Sequence, residues 1–440
     1  MQVRDAASFR DPAGYVFYEN GKVFRKVAPT GVPDFEAFVN SGLKGRLEES
    51  EMLVRSTPVA ESEHGLVLEC DEMWPITYPY EWGFSELKSA AVLTLQIAEQ
   101  SLTHDLSLKD ASGYNIQFRG NRPVFIDILS FESYRDGQPW QAYGQFCRHF
   151  LAPLALASKV DIRLLSLLRS YIDGIPLDLA AELLPGATRL NGGLLTHIHL
   201  HAKATMSLTS GTVRSVPRVT LLALLDSLRR TVESLTWTPR GIWANYYSET
   251  NYDTAATNSK HEIVRRFLRL AGGETCLDLG ANDGTYSAIA KSLGMRCVLS
   301  DSDYGALEGA FKSGNGVAVY CDLANPSPNQ GWHGYERSDF FRRFASDTVL
   351  ALALIHHLRI GNNTPLSMIT RMLASLGNHL IVEFVPKEDS QVQRMLETRA
   401  DIFDDYNEVD FRSAFEQDFE FVESASVTNT SRTLHLLRRK

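Results

Sequence analysis

The pattern of apolar and polar positions changes near residue 260 of the 440-residue chain. Beyond it, amphipathic stretches with helical spacing alternate with short apolar runs typical of strands. The helix–strand pairs are HEIVRRFLRLA with TCLDLG, TYSAIAKSLG with RCVLSD, and DYGALEGAFKSG with VAVYCD, and further strands are TVLALALIH, HLIVEFV, FEFVES and TLHLLRR. This alternation predicts an α/β fold with a Rossmann-like, doubly wound sheet of seven strands. Because no helix separates the last two strands, we expect them to form an antiparallel hairpin at the sheet edge.

The first half of the chain mixes strands and helices without regular alternation. Residues 14–27 alternate apolar and polar positions around Asn20-Gly21, a dipeptide suited to a type I′ hairpin turn. Further predicted elements are a helical segment at 34–53, strands at 65–70 and 123–128, a helix at 85–105, and a mostly helical region at 140–240. We therefore predict an α+β domain over 1–240 and a second domain over 241–440, with the boundary in a polar, aromatic connector.

Composition narrows the class of protein. A formal charge of -9 gives no general electrostatic help in binding nucleic acid, so no nucleic-acid partner is expected. The five cysteines form no closely spaced pair, which predicts reduced thiols in a cytoplasmic protein rather than disulfides or a CxxC metal site. No apolar leader and no run of 18 apolar residues is visible, so no membrane span is expected.

The segment CLDLGANDGTYSAIA, 276–290, carries the clearest candidate chemistry. A buried strand ends at Asp278, and Gly280, Asn282 and Gly284 then form a turn before a helix begins. Glycines let the backbone approach a ligand, and the first turn of the helix offers free N–H groups. A glycine turn after a strand is common, so this pattern alone is a weak signal.

Two further acids strengthen the prediction of a ligand-binding site at this turn. Asp301 ends the next strand, where Rossmann-type sites place an acid that binds ribose hydroxyls. Asp322 ends the third strand, where a carboxylate can accept a hydrogen bond from an adenine amino group, and Leu323 follows it. Successive parallel strands end at one edge of a sheet, so we expect these acids to converge there.

With these residues in place, the segment 245–440 resembles the class I S-adenosylmethionine-dependent methyltransferases. LDLGANDG is similar to their first motif, Asp301 to the ribose-binding acid, CDL at 321–323 to the adenine-binding motif, and ALALIHHL at 351–358 to the fourth strand. The resemblance implies S-adenosylmethionine as cofactor, with its amino-acid end at Gly280–Gly284. Asn282 replaces the commoner glycine. The rival is an NAD-binding Rossmann domain, which prefers a third glycine. This half also resembles proteins described as host-specific nodulation methyltransferases.

The resemblance places a pair of histidines beside the transferred methyl group. His356 or His357 could act as a general base, or one could pack and the other cap the strand end. Tyr252 and Lys260, together with Tyr247, precede the domain where this family often has a lid over the cofactor; aromatic packing is the alternative. The NPPY-type tetrapeptide of amino-group DNA methyltransferases is absent here. We expect a small-molecule or saccharide acceptor, methylated on oxygen or nitrogen.

A second set of polar residues lies in LKDASGYNIQFRGNRPVFID, 108–127. Asp110, Asn115 and Asp127 resemble the pattern of the aminoglycoside-phosphotransferase and lipopolysaccharide-kinase branch of kinases, over about 14–235. The resemblance implies a kinase-like domain in which Asp110 takes the hydroxyl proton while Asn115 and Asp127 bind the metal of Mg-ATP. Leu108 stands where the family has a histidine, and no glycine-rich loop is visible. The alternative is a chance spacing within a hairpin.

Three functions follow from the sequence. The first is a methyltransferase whose N-terminal domain shapes or recruits the substrate. The others are a bifunctional kinase–methyltransferase acting on a glycan or metabolite, and a non-catalytic module that binds S-adenosylmethionine. His197, His199 and His201 would share one face of a strand, whereas a helix would align only the outer two. With no acid or cysteine cluster nearby, no metal site is predicted.

Overall fold

A computed structural model describes residues 2–206, 215–239, 253–397 and 399–440 of the chain. These residues divide into two compact units. The first unit contains Met1–Thr238 and Asn329–Arg337, and the second contains Pro239–Pro328 and Ser338–Lys440. Among the described residues, no helix is both long enough and apolar enough to cross a membrane.

The first unit is built on a five-stranded antiparallel sheet. Its strands are β1 (Val3–Arg4), β2 (Gly14–Glu19), β3 (Lys22–Val27), β4 (Ser56–Ser62) and β5 (Gly65–Cys70), in the order β1-β2-β3-β5-β4. The predicted hairpin is confirmed, because β2 pairs with β3 around a turn in which Asn20 and Gly21 both have positive φ, 52° and 76°. The strand predicted at 65–70 is β5.

Two small hairpins carry the polar segment around Asp110. Strand β6 (Leu106–Leu108) pairs with β9 (Phe131–Ser133), and β7 (Ile116–Arg119) pairs with β8 (Arg122–Phe125). The strand predicted at 123–128 thus ends early, at Phe125, because the chain turns there and Asp127 accepts hydrogen bonds from the turn that follows.

The remainder of the first unit is helical. In the described part its α-helices are α1 (Val32–Asn40), α2 (Leu43–Glu49), α3 (Phe84–Thr103), α4 (Tyr143–Phe146), α5 (Ala152–Lys159), α6 (Leu167–Ser170), α7 (Leu177–Leu183), α8 (Gly192–Leu194), α9 (His201–Met206) and α10 (Arg218–Ser234). The helix predicted at 85–105 is α3. The helical segment predicted at 34–53 is two helices, because Gly42 adopts a φ of 78° between them.

The second unit contains a seven-stranded sheet in the order β12-β11-β10-β13-β14-β16-β15. The strands are β10 (Thr275–Leu279), β11 (Arg296–Asp301), β12 (Val317–Tyr320), β13 (Ser346–Ala351), β14 (Gly377–Phe384), β15 (Phe419–Ser426) and β16 (Thr433–Arg439). The first five strands are mutually parallel, and β16 lies antiparallel between β14 and β15. The predicted sheet and its closing hairpin are confirmed.

Helices connect the strands of this sheet. They are α11 (Thr254–Ala271), α12 (Thr285–Ser292), α13 (Tyr304–Ser313), α14 (Phe340–Phe344), α15 (Leu366–Leu376), α16 (Ser390–Leu396) and α17 (Glu408–Phe415). Aspartates begin several of them: the side chains of Asp253, Asp303 and Asp389 accept first-turn N–H groups. Central strands are buried on both faces, as in β10, where four consecutive residues from Cys276 are buried.

The strand before the two histidines is shorter than predicted. Strand β13 ends at Ala351, whereas the sequence pattern extended it to His356. The strand stops because Ala353 adopts a φ of 50°, which directs the backbone away from the sheet. His356 and His357 consequently lie in a helical turn that follows the strand.

One segment of the C-terminal half groups with the first unit. Residues Asn329–Arg337, here called the strap, lie between β12 and α14 in sequence, yet they cluster with the first unit. The predicted domain boundary places this segment in the second domain. Gln330 and Arg337 exchange backbone hydrogen bonds at its base, so the strap is a closed loop.

Candidate active site

The turn after β10 has the backbone geometry expected of a ligand cradle. Gly280, Asn282 and Gly284 all have positive φ, 70°, 51° and 83°. At Gly284 a Cβ atom would lie 2.5 Å from the Leu299 side chain, so a larger residue would collide as well as strain the backbone. The turn leads directly into α12, which begins at Thr285, so the helix starts at the end of β10 that carries the turn.

Asp301 fastens this turn to the neighbouring strand. Its carboxylate accepts hydrogen bonds from the N–H of Asn282 at 3.0 Å and the N–H of Asp303 at 2.9 Å. Burial raises the pKa of the Asp301 carboxyl, although these N–H donors oppose the increase. The predicted ribose-binding acid therefore lies at the end of β11 and against the glycine turn.

Asp278 is placed differently from the other acids. It is only 2% exposed, and its carboxylate accepts a 2.7 Å hydrogen bond from the Ser287 hydroxyl in α12. Burial raises the pKa of Asp278 to about 7. Its observed contact joins β10 to α12, which gives it a supporting position behind the turn.

Asp322 lies just beyond β12, beside Leu323, and both are partly exposed. One carboxylate oxygen of Asp322 accepts the N–H of Ala324 at 2.9 Å, which forms a tight turn. Because β10, β11 and β12 are parallel neighbours, the ends that carry Asp278, Asp301 and Asp322 fall at one edge of the sheet.

The two histidines lie together after β13. Their ring centroids are 4.2 Å apart, and His356 is 2% exposed. The Nδ1 atom of His356 is buried and has no hydrogen-bond partner among the described residues. Burial, reinforced by the charges of His357, Arg432 and Lys260, lowers the pKa of His356 well below its usual range. His356 is therefore neutral at physiological pH.

A cluster of buried charged side chains lies near these histidines. The ammonium of Lys260 lies 2.7 Å from the carboxylate of Glu383 and 4.9 Å from the centre of the Tyr286 ring. The guanidinium of Arg432 lies 3.8 Å from Glu383 and makes two hydrogen bonds to Asp389, at 2.8 and 3.1 Å. The observed partner of Lys260 is thus an acid at the end of β14. Tyr252 and Tyr247 lie outside the described residues.

Sequence reasoning missed part of this cluster. Glu383 is fully buried at the end of β14, although the polar residues that follow it are typical of a solvated loop. Arg432 is 3% exposed, and no local pattern predicts this, since arginines mostly lie in solvent. The position of Glu383 after the apolar run HLIV was the available signal, because a charge within a buried strand requires a partner.

The three polar residues of the first unit also lie close together, and one of them, Asp127, is paired with an arginine. Asp110 lies close enough to Asn115 and Asp127 to interact with both, and burial and the Asp127 charge raise its pKa. The guanidinium of Arg25, in β3, lies 2.6 Å from Asp127 and 2.7 Å from Asp11. The Asp127 carboxylate is therefore paired with a cation that belongs to the protein itself, the Arg25 guanidinium. The kinase-like fold of this unit stays a prediction.

The HIHLH segment lies in a helix with a π-turn at Leu195–Leu200. His197 accepts or donates hydrogen bonds on both ring nitrogens, to Tyr143 at 2.9 Å and Ser227 at 3.0 Å. His199 lies 2.9 Å from the Thr188 hydroxyl instead. Within the described ranges, no group of three or more histidine, cysteine or acidic side chains has the arrangement of a metal site.

Comparison with known proteins identifies the family. The chain is 37% identical to the nodulation protein NoeA of Rhizobium meliloti (strain 1021), over 99% of its own length and 96% of that protein. The chain belongs to the NoeA family. The similarity to that protein therefore extends over both units of the chain. No protein-family model matches the sequence.

Solved structures resemble this NoeA-family protein over less than half of its length. Magnesium protoporphyrin IX methyltransferase from Synechocystis is 16% identical, with 45% of this chain and 93% of that chain covered and a TM-score of 0.31. The N-methyltransferase NodS from Bradyrhizobium japonicum is 12% identical, with coverages of 42% and 98% and a TM-score of 0.31.

Proposed function

We propose that this NoeA-family protein is an S-adenosylmethionine-dependent methyltransferase with its active site in the second unit. The observation that carries the proposal is the combination of strand order and residues at one sheet edge. Parallel strands β10, β11 and β12 end at a glycine turn, Asp301 and Asp322, while β13 leads to His356. In open α/β sheets, ligands bind at the carboxyl ends of the strands, where the strand order reverses.

The residues present fit the cofactor. Asp301 would accept hydrogen bonds from ribose hydroxyls, Asp322 would accept from the adenine amino group beside Leu323, and the turn from Gly280 to Gly284 would hold the amino-acid end. A bound S-adenosylmethionine supplies an activated methyl group on sulfur. Asp278 contributes indirectly, since its hydrogen bond to Ser287 holds α12 against β10.

Within this proposal, His356 receives the proton of the methyl acceptor. Its Nδ1 is buried without a partner among the described residues, so an O–H or N–H group of the acceptor would satisfy it. The neighbouring cations Lys260 and Arg432 keep the ring neutral before the reaction. Because they also weaken the ring as a base, the proton transfers only as positive charge moves from the sulfonium to the methyl acceptor. His357 packs against His356 and limits its rotation. The acceptor is a small molecule or a saccharide.

The cofactor assignment is tested by calorimetry. We expect Asp301→Ala to weaken S-adenosylmethionine binding more than tenfold, because the variant loses both a ribose ligand and the anchor of the Asn282 turn. Asp161→Ala is the matched control, since Asp161 also accepts a backbone N–H, from Arg163, but lies in the first unit. Equal affinities for Asp301→Ala and the wild type would refute the assignment.

The proton-acceptor role is tested by turnover. With a panel of hydroxyl and amino acceptors, release of S-adenosylhomocysteine should fall by about 10²–10⁴-fold in His356→Gln, the usual range for loss of a general base. Cofactor affinity should stay close to that of the wild type. His357→Gln serves as the neighbouring control and should lose much less activity. Full turnover by His356→Gln would exclude His356 from the proton step.

A further inference from the structure

The strap, Asn329–Arg337, is held in the first unit by a buried carboxylate. The side chain of Glu336 is 1% exposed and receives two hydrogen bonds from Arg10, at 2.6 and 3.0 Å. It also accepts the N–H of Trp332 at 2.9 Å, which closes the loop on itself. Burial opposes ionisation of Glu336, but Arg10 and the Trp332 N–H outweigh it, and the pKa of Glu336 lies below its ordinary value.

A second contact fixes the end of the strap. The guanidinium of Arg337 lies 4.1 Å from the centre of the Tyr114 ring and 5.8 Å from that of Tyr78, within the range of cation–π attraction. Arg337 also lies 3.4 Å from Glu336, so the guanidinium is held by a ring face and a carboxylate together. The strap is thus anchored at two adjacent residues.

The covalent chain joins this anchor to the candidate adenine site. Residues 323–328 are all that separate Asp322 from the strap, and they begin with a tight turn, in which Asn325 donates to the Asp322 carbonyl at 2.9 Å. On the other side, Ser338 leads directly into α14 and thence β13. An anchor in the first unit therefore restricts the conformations open to the Asp322 turn.

We propose that Arg10 and Glu336 are positioning residues for the cofactor: by anchoring the strap, they hold the Asp322 turn in the conformation that binds adenine. This rests on the proposed function of the second unit. Holding a binding loop in its bound conformation raises affinity, because less conformational entropy is lost when the ligand binds. The first unit then contributes to cofactor binding without supplying a ligand atom.

The experiment measures S-adenosylhomocysteine binding to the full-length protein by calorimetry. Arg10→Gln and Glu336→Gln should each weaken binding by about three- to tenfold. The double variant should bind no more weakly than the single variant with the lower affinity, since both substitutions break the same Arg10–Glu336 contact. Arg10→Lys, which keeps the charge, should retain more of the affinity than Arg10→Gln. Arg122→Gln is the matched control, because Arg122 forms an exposed pair with Glu51 in the same unit.

A second variant separates positioning from damage to the fold. Two glycines inserted between Pro328 and Asn329 leave both strap contacts intact but loosen the connection to Asp322. This insertion should also weaken binding, with thermal unfolding close to that of the wild type. Unchanged affinity in the insertion variant, or in both single variants, would overturn the proposal. Failure of the wild type itself to bind S-adenosylhomocysteine would instead refute the proposed function.

Discussion

At the scale of single residues, acids of the same type take different positions because their surroundings differ. Asp278 is enclosed and bonded to one hydroxyl, whereas Asp301 receives two backbone N–H groups at the edge of the sheet. Glu336 is as deeply buried as Asp278, but Arg10 stabilises its charge. Hydrogen-bond donors and neighbouring charges, rather than burial alone, decide which carboxyls ionise.

Asp278 should therefore show a distinct pH dependence. Its pKa rises from about 3.9 in the unfolded chain to about 7 in the fold. The folded state binds this proton more tightly, so its stabilising contribution is present below pH 4 and is lost as pH rises through 7. In Asp278→Asn the side chain still accepts the Ser287 hydroxyl but does not ionise. The variant therefore does not lose this stability as pH rises. Relative to the wild type, its free energy of unfolding should increase between pH 4 and pH 8, by up to about 4 kcal/mol.

Urea denaturation at a series of pH values measures this difference. Asp339→Asn provides the control, because Asp339 begins a helix and is partly exposed. A difference between Asp278→Asn and the wild type that stays constant from pH 4 to pH 8 would contradict the assigned environment of Asp278.

At the scale of elements, the sequence predicts strands well where apolar runs are bounded by turn residues. The 14–27 hairpin and the seven strands of the second unit follow their patterns. The prediction fails where an apolar run continues past the end of its strand, as after Ala351. Side-chain character does not reveal the positive φ of Ala353 that ends the pairing. His356 is thereby moved from a strand end to a helical turn.

Arg25 shows how one side chain can join elements in place of a metal ion. From β3 it reaches Asp11 and Asp127, and its side chain is 11% exposed. Arg25→Ala should lower the free energy of unfolding of the first unit by about 3 kcal/mol, since it leaves carboxylates without their cation. Oxygen ligands favour Mg²⁺, so millimolar Mg²⁺ should raise the thermal midpoint of this variant and not of the wild type.

Differential scanning calorimetry with and without Mg²⁺ tests this prediction, and Arg122→Ala controls for loss of an exposed arginine. Stabilisation of the wild type by Mg²⁺ and ATP, abolished in Asp127→Ala, would instead support the kinase-like hypothesis. An equal response of Arg25→Ala and the wild type to Mg²⁺ would show that Arg25 does not take the place of a cation.

At the scale of the whole molecule, the chain forms two units that are not separated at a single point in the sequence. The strap returns to the first unit from within the second half of the chain. Similarity to the NoeA protein of Rhizobium meliloti extends along 99% of the chain and so spans both units. The proposed anchoring by Arg10 and Glu336 offers a physical reason for keeping them together.

The sequence by itself determined the α/β pattern of the second half, the glycine turn and the acids that end its strands. These features are local, because periodicity and turn chemistry depend on neighbours along the chain. Only the tertiary structure decided that Glu383 is buried against Lys260, that Arg25 neutralises Asp127, and that Glu336 meets Arg10. Each of these pairs joins residues more than 100 positions apart. From the sequence alone, each of these charges could equally lie in solvent. Only the packing of the fold places each one against its partner.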